Sequence, residues 1–452
     1  MNYSTHSEED RKIIFKQLGI KNLNELFNVV PEEIKKQVWN LPEPLSEKEI
    51  SSKLTVIGSR NNSLDKLFSF IGGGAYNHYI PEPVKAITGI SSFYTAYTPY
   101  QAEISQGTLQ YIFEFQTLIC RLTGMEVSNA SMYDGASALA EAILMANRIN
   151  GKKTILISKT IHPEYVQTCR TYCMGKDIEF IEVDYSNGIT DLETLVKRID
   201  NNTSAVVIQN PNFFGCFEEV HNIKEILNQY PDCLYIVSVV NPISLALCNS
   251  PGSYGADIVT GEAQSFGCSL SFGGPYLGFF ATKQKYIRQI PGRVVGKTID
   301  SRGNDAYVLT FQTREQHIRK QKATSNICSN HSLNALAASV YLSIVGENGL
   351  KSLATICLQR AHYLSLKISE LNGFKLKFKT GFFNEFAIET KYDLAKLLKD
   401  LRKQGILGGI NLECFYRELK NCMLVSVTEM NGVAEIDRYY KVLKMLTGGE
   451  LQ

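Results

Sequence analysis

The chain has a single tryptophan in 452 residues, and it has no apolar run that could cross a bilayer. A spanning helix needs about 18–20 consecutive apolar residues, so the sequence offers no membrane segment. A charge excess of either sign is also missing. With 44% hydrophobic residues, 20% charged residues and a formal net charge of +2, nothing calls for nucleic acid or an anionic lipid surface as a partner. The eleven cysteines never form a C-x-x-C pair. Cys169 and Cys173 stand four apart on a predicted helix without further ligand types beside them. They read as free thiols of a reducing cytoplasm, and no metal site is expected. The opening "MNYSTHSEEDRK" is polar and acidic, unlike a signal peptide.

The most telling absence is local. The stretch "GEAQSFGCSLSFGGPYLGFF", Gly261 to Phe280, follows the strand pattern "ADIVT" and passes through a glycine-rich turn into another apolar strand. In a large class of pyridoxal phosphate enzymes such a turn carries the lysine that holds the cofactor as an imine. Here the turn offers Gln264, Ser265 and Phe266, none of which has a primary amine. The strand "IVSVVNPISLAL" has a second gap. A carboxylate at the end of such a strand keeps a pyridine nitrogen protonated and makes the ring an electron sink. This strand runs out into Val239, Val240 and Asn241, and asparagine cannot play that part.

The residues that are present describe an α/β protein. Residues 1–60 read as an N-terminal helical arm, with "NLNELFNVVPEEIKKQV" interrupted at Pro31 and "NLPEPLSEKEI" as a polar connector. Residues 61–327 alternate helices with short apolar strands, "TILIS", "IEFIEV", "SAVVIQN", "LYIVSVV" and "ADIVT". That alternation predicts a large mixed sheet covered on both faces. Residues 328–452 read as a long linking helix and a small C-terminal α+β domain.

Three further motifs bear on a site. In "MYDGASALAEA" a helix starts near Ala136. Gly135 and Ser137 there suit a phosphate through free N–H groups and a hydroxyl, while the plain alternative is a helix start capped by Asp134. In "KTIHPEY", His162 follows a strand where a ring could stack on a cofactor, or where a histidine could simply cap a helix. The tyrosine-rich "SSFYTAYTPYQAEISQGTLQ" places Tyr94, Tyr97, Tyr100 and Gln101 in a loop that suits a subunit interface or a pocket wall.

Taken together, "FYTAYTPYQAEISQGTLQYIFEFQTLICRLTGMEVSNASMYDGASALAEA", "LSFGGPYLGFFATK" and "ATSNICSN" resemble the glycine decarboxylase, or P-protein, family of the glycine cleavage system. The likeness is to the first subunit of its split, two-gene form. This resemblance implies a fold-type I pyridoxal phosphate transferase architecture, related to aspartate aminotransferase. It implies a heterotetramer of two chains of each kind, active only as a complex, in which the second subunit carries the lysine and the cofactor. The lost lysine then falls on Gln264 or Ser265, and no cofactor is held covalently by this chain. Glycine and the lipoylated H-protein are the implied substrate and partner, in the cytoplasm. Gly135, Ser137 and His162 become parts of a vestigial pocket. Thr324, Ser325 and Asn326 are expected to reach toward the partner's cofactor phosphate, the alternative being that Ser325 or Asn326 caps the following helix. A stand-alone degenerate pyridoxal-fold protein, acting as a binding module or scaffold, is the competing reading.

Overall fold

A computed structural model describes residues 6–35 and 40–448. They fall into two compact units, divided between Asn62 and Ser63.

In the first unit, helices Glu8–Leu18 and Glu47–Gly58 each open with a capping box, Ser7 with Asp10 and Ser46 with Glu49. The second box corrects the sequence reading: the polar connector after Pro44 already starts a helix, because Ser46 and Glu49 satisfy its first free N–H groups. Around Pro31 the chain forms a 3-10 turn, Leu23–Phe27, and a short helix, Glu32–Lys35. The rest of that motif, 36–39, lies outside the described residues. None of these helices buries a residue, and Ile13, Leu54 and Ile57 stay exposed.

The second unit is built on a seven-stranded sheet. In chain order its strands are β1 (Val127–Ser128), β2 (Thr154–Ser158), β3 (Glu179–Val183), β4 (Thr203–Gln209), β5 (Leu234–Val239), β6 (Ile258–Glu262) and β7 (Gly278–Thr282). Their spatial order is β1-β7-β6-β5-β4-β2-β3. Strands β3, β2, β4, β5 and β6 are parallel, while β7 runs antiparallel to both β6 and β1. Strand alternation places Leu156, Val206 and Val237 in one core and Ile155, Val207 and Ile236 in the other. Both faces are therefore covered, as the continuous apolar runs require. Helices α1 (Gln106–Thr123) and α4 (Ser332–Ser369) lie on the first face. Helices α2 (Gly135–Asn150) and α3 (Pro163–Tyr172) lie on the second.

Helix α4 is not one straight rod. Gly346 has φ 62° and breaks the helical geometry inside it. A second, antiparallel sheet follows, with β8 (Phe374–Leu376), β9 (Glu385–Thr390), β10 (Ile410–Asn411) and β11 (Cys422–Ser426) in the order β8-β9-β11-β10. Helices α5 (Leu394–Lys403) and α6 (Val433–Leu446) pack on it around Leu397, Ile436 and Tyr439. Residues Phe68–Ser69 pair in parallel with Ile406–Leu407, and Phe70 enters this same core. The chain therefore runs from the small layer toward the large sheet along "IGGGAYNHY", Ile71 to Tyr79, and this segment forms one wall of the candidate site.

Candidate functional site

In open α/β sheets, ligand crevices lie beyond the carboxyl ends of the parallel strands. Here β2 leads to His162, β5 to Asn241 and β6 to Gln264. The three-glycine segment Gly72–Gly74 crosses in front of them.

Gln264 is fully buried. Its side-chain oxygen accepts the Tyr76 N–H at 2.9 Å. Its amide nitrogen donates to the Tyr76 carbonyl at 3.0 Å and to the Cys268 carbonyl at 2.7 Å. A side chain at the position expected for an imine-forming lysine thus holds the chain's own backbone. Ser265, the other candidate for that position, is buried beside it.

The glycine segment is held from two further sides. The Gly73 N–H donates to Glu385 Oε1 at 2.7 Å, and the Tyr76 hydroxyl donates to Glu385 Oε2 at 2.6 Å. His162 Nδ1 accepts the Glu164 N–H, which leaves Nε2–H to donate to the Gly73 carbonyl at 2.8 Å. Burial lowers the His162 pKa, in keeping with a neutral ring. That ring stacks on Tyr165, centroids 4.8 Å apart, and meets the Phe213 ring edge-on. A Cβ on Gly74 would lie 3.0 Å from the His162 ring and 3.5 Å from Val240. The backbone at Gly74 therefore occupies the gap between His162 and the end of β5.

The expected phosphate cup is closed in a similar way. At the start of α2, the Gly135 N–H donates to Glu262 Oε2 at 3.0 Å, and the Ser137 N–H donates to Asp134 Oδ1 at 2.7 Å. Ser137 Oγ donates to the Asp134 carbonyl. Two carboxylates of the chain thus take the places open to an anion. Glu262 also accepts N–H bonds from Gln264 and Leu277. Burial pushes Glu262 up to about 7 against those three bonds, and it pushes Glu385 up to about 7 against Tyr76 and Gly73.

A cavity of about 310 Å³ remains between these parts. Asp134, Glu164, Glu262, His162 and His331 supply its titratable groups beside several tyrosines, and among the described residues neither lysine nor arginine lines it. Asn241 uses its amide on Asn384 Oδ1, at 3.1 Å. An imine-linked pyridoxal phosphate does not fit this environment. The amine is missing, the Gly74 backbone lies against the His162 ring on which a cofactor was expected to stack, and acids occupy the helix terminus.

The remaining sequence candidates lie elsewhere. Tyr94, Tyr97, Tyr100 and Gln101 are all exposed, with Tyr97 86% exposed. The Tyr100 hydroxyl accepts from the buried Arg293 at 3.2 Å. Thr324 donates its N–H to the Arg314 carbonyl, and Ser325 Oγ accepts the Ile327 N–H. Asn326 is exposed. The capping alternative for Ser325 and Asn326 is not what the chain does: α4 starts at Ser332 after His331, so neither residue is near enough to cap it. Glu262, Glu385 and Tyr76 were not singled out from the sequence. Two signals point to Tyr76 and Glu385: three consecutive glycines in "IGGGAY", and an acid inside the apolar strand "FNEFAIE".

The model of the glycine cleavage system P-protein family matches residues 1–443. A probable glycine dehydrogenase (decarboxylating) subunit 1 of Desulforamulus reducens is 47% identical, covering 97% of this chain and 98% of its own. One from Chloroherpeton thalassium is 45% identical, covering 99% of this chain and all of its own. Among solved structures, an inhibitor-bound glycine decarboxylase (P-protein) of the glycine cleavage system superposes with a TM-score of 0.90 at 37% identity, over 99% of this chain and 100% of that one. The Lactobacillus brevis glutamate decarboxylase shares the fold alone, with a TM-score of 0.68 at 13% identity over 92% and 96% of the two chains.

Proposed function

The chain belongs to the glycine cleavage system P-protein family, and on that premise we propose that it is the lysine-lacking first subunit of a split glycine dehydrogenase (decarboxylating). The assembled enzyme removes carbon dioxide from glycine and passes the remaining aminomethyl group to the lipoyl group of H-protein. Pyridoxal phosphate belongs to the second subunit, two of each chain assemble, and the complex works in the cytoplasm.

The observation that carries this reading is the pair Gln264 and Tyr76. The turn that would present an amine instead clamps backbone, so this chain supplies form rather than the covalent step. Its work is to present loops to a neighbour. The exposed Tyr94 and Tyr97, and the Thr324 to Asn326 turn, are the surfaces suited to that role. The Thr324 hydroxyl and nearby N–H groups provide short neutral donors of the kind a phosphate takes. The unburied apolar residues Ile13 and Leu54 of the N-terminal unit suit a second chain as well.

The experiment is reconstitution. Each subunit alone, and then the two mixed, is assayed for release of labelled carbon dioxide from glycine with lipoylated H-protein present. Activity is expected in the mixture only. Full activity of the second subunit by itself would remove this chain from the enzyme.

A further inference from the structure

Away from that cavity, a second group of chemically competent side chains lies between the glycine segment, helix α4 and the loop after β11. A ring nitrogen of His78, Cys357 Sγ and a carboxylate oxygen of Glu429 lie within 4.8 Å of one another. His78 and Cys357 are buried, and the Glu429 side chain is 15% exposed. Among the described residues this is the one group of three or more His, Cys, Asp or Glu side chains close enough to hold a metal ion. Tyr341, also buried, has its phenol pushed up by burial and by the charges of Glu429 and Cys357.

The internal bonding of the group is incomplete. His78 Nδ1 faces Glu429 Oε2 at 2.7 Å, and the Cys357 thiol points at the same oxygen at 3.6 Å. His78 Nε2 is buried without a partner, although a buried polar nitrogen ordinarily has one. Glu429 is fixed by a second bond, since its Oε1 accepts the Tyr79 N–H at 2.7 Å. Arg360 holds the Glu429 carbonyl at 2.6 Å. The ligand types are therefore one imidazole, one thiol and one anchored carboxylate, on three segments far apart in the chain.

The geometry points to a site for one thiophilic divalent cation of the zinc type, bound by His78, Cys357 and Glu429. Zinc takes Cys, His and Glu donors at about 2.0–2.3 Å in a tetrahedron, which sets donors roughly 3.3–3.7 Å apart. The Cys357–Glu429 pair is at 3.6 Å, the 2.7 Å His78–Glu429 contact must widen, and no two of the donor atoms are more than 4.8 Å apart. A water completes the set on the side where Glu429 reaches solvent. Thiolate and carboxylate balance the two positive charges. Burial pushes the Cys357 thiol well up, so the metal must displace its proton: Zn²⁺ and the S–H group give a Zn–S bond and one free H⁺, with no change in oxidation state. Binding is therefore coupled to pH and weakens on acidification. In place, the ion ties the glycine segment to α4 and to the β11 loop, and so steadies the wall that carries Gly73 and Tyr76.

The test uses the full chain in complex with its second subunit, stripped with a chelator and titrated with Co²⁺. One equivalent is expected to bind, with a thiolate-to-cobalt charge-transfer band, release of one proton, and displacement by Zn²⁺. Cys357→Ser should remove the band and weaken zinc at least about 100-fold, beyond the 10–100-fold typical of losing an outer partner. The exposed Cys328 and Cys414 remain in that variant, so a band that survives in it overturns the assignment. Absence of the band in the wild-type complex overturns it too, and that result depends on no variant folding correctly.

Discussion

Gln264 binds both main-chain polar groups of Tyr76, a residue 188 positions earlier in the chain. A lysine could donate to the Tyr76 carbonyl but could not accept its N–H. The substitution at this turn therefore removes an amine and adds a two-way clasp. Gln264→Met, close in volume, leaves the buried Tyr76 N–H and carbonyl and the part-buried Cys268 carbonyl without this partner. Its expected cost is on the order of 2–4 kcal/mol in unfolding free energy, read from denaturant curves of the complex. A change within experimental error would mean that the clasp carries no load.

The glycine segment should tolerate no side chain. A Cβ at Gly72 would lie 2.3 Å from Glu385 Oε1 and 2.6 Å from Ser426 Oγ. Gly151, by contrast, has open space around it and only a left-handed φ of 69°. Gly151→Ala is expected to cost about 1 kcal/mol from backbone strain alone. Gly72→Ala should cost clearly more and also loosen the Gly73–Glu385 bond. Equal thermal shifts for the two variants would contradict the packing described here.

The two buried acids set a pH dependence. Glu262 and Glu385 have folded values near 7 against an ordinary 4.5. Between those values the folded state holds protons that the unfolded state has released, so stability falls as pH rises from about 4.5 to about 7 and then levels off. Each acid contributes on the order of 3 kcal/mol across that window. Glu385→Gln should flatten its share of the slope. Parallel stability–pH curves for wild type and variant would rule Glu385 out as a source.

Much of this fold can be read from the sequence because its signals are local. "TILIS", "SAVVIQN" and "ADIVT" are short, apolar at their centres and separated by helices, and they become β2, β4 and β6. Helix α1 ends where Gly124 takes a left-handed φ of 68°. The missing lysine was visible for the same reason, since it is a property of one turn. The clamp was not visible. Glu385 meets Tyr76 across 309 positions, and no local pattern announces such a pair. The break at Gly346 was also hidden, because the apolar spacing of "SIVGENGLKSL" continues through it and one φ angle breaks the run. The helix start at Ser46 was missed because prolines nearby made the segment look like a connector.

Thr324 tests the proposal that this chain lends a loop to its neighbour. Its hydroxyl has no hydrogen-bond partner among the described residues, and α4 begins eight residues later. Thr324→Val in the complex is expected to weaken pyridoxal phosphate binding by roughly 1–2 kcal/mol while subunit assembly stays intact. Unchanged cofactor affinity with a lowered melting temperature would assign the residue a structural role only.

The most direct measurement is borohydride reduction of the active complex followed by intact mass of each chain. Reduction fixes any imine-linked pyridoxal phosphate to the lysine that holds it. One pyridoxyl adduct is expected on the second subunit and an unmodified mass for this chain, both in the native protein and in Gln264→Lys, whose amine would meet the Tyr76 and Cys268 carbonyls that Gln264 now binds. A stable pyridoxyl adduct on any lysine of the native chain would contradict that expectation.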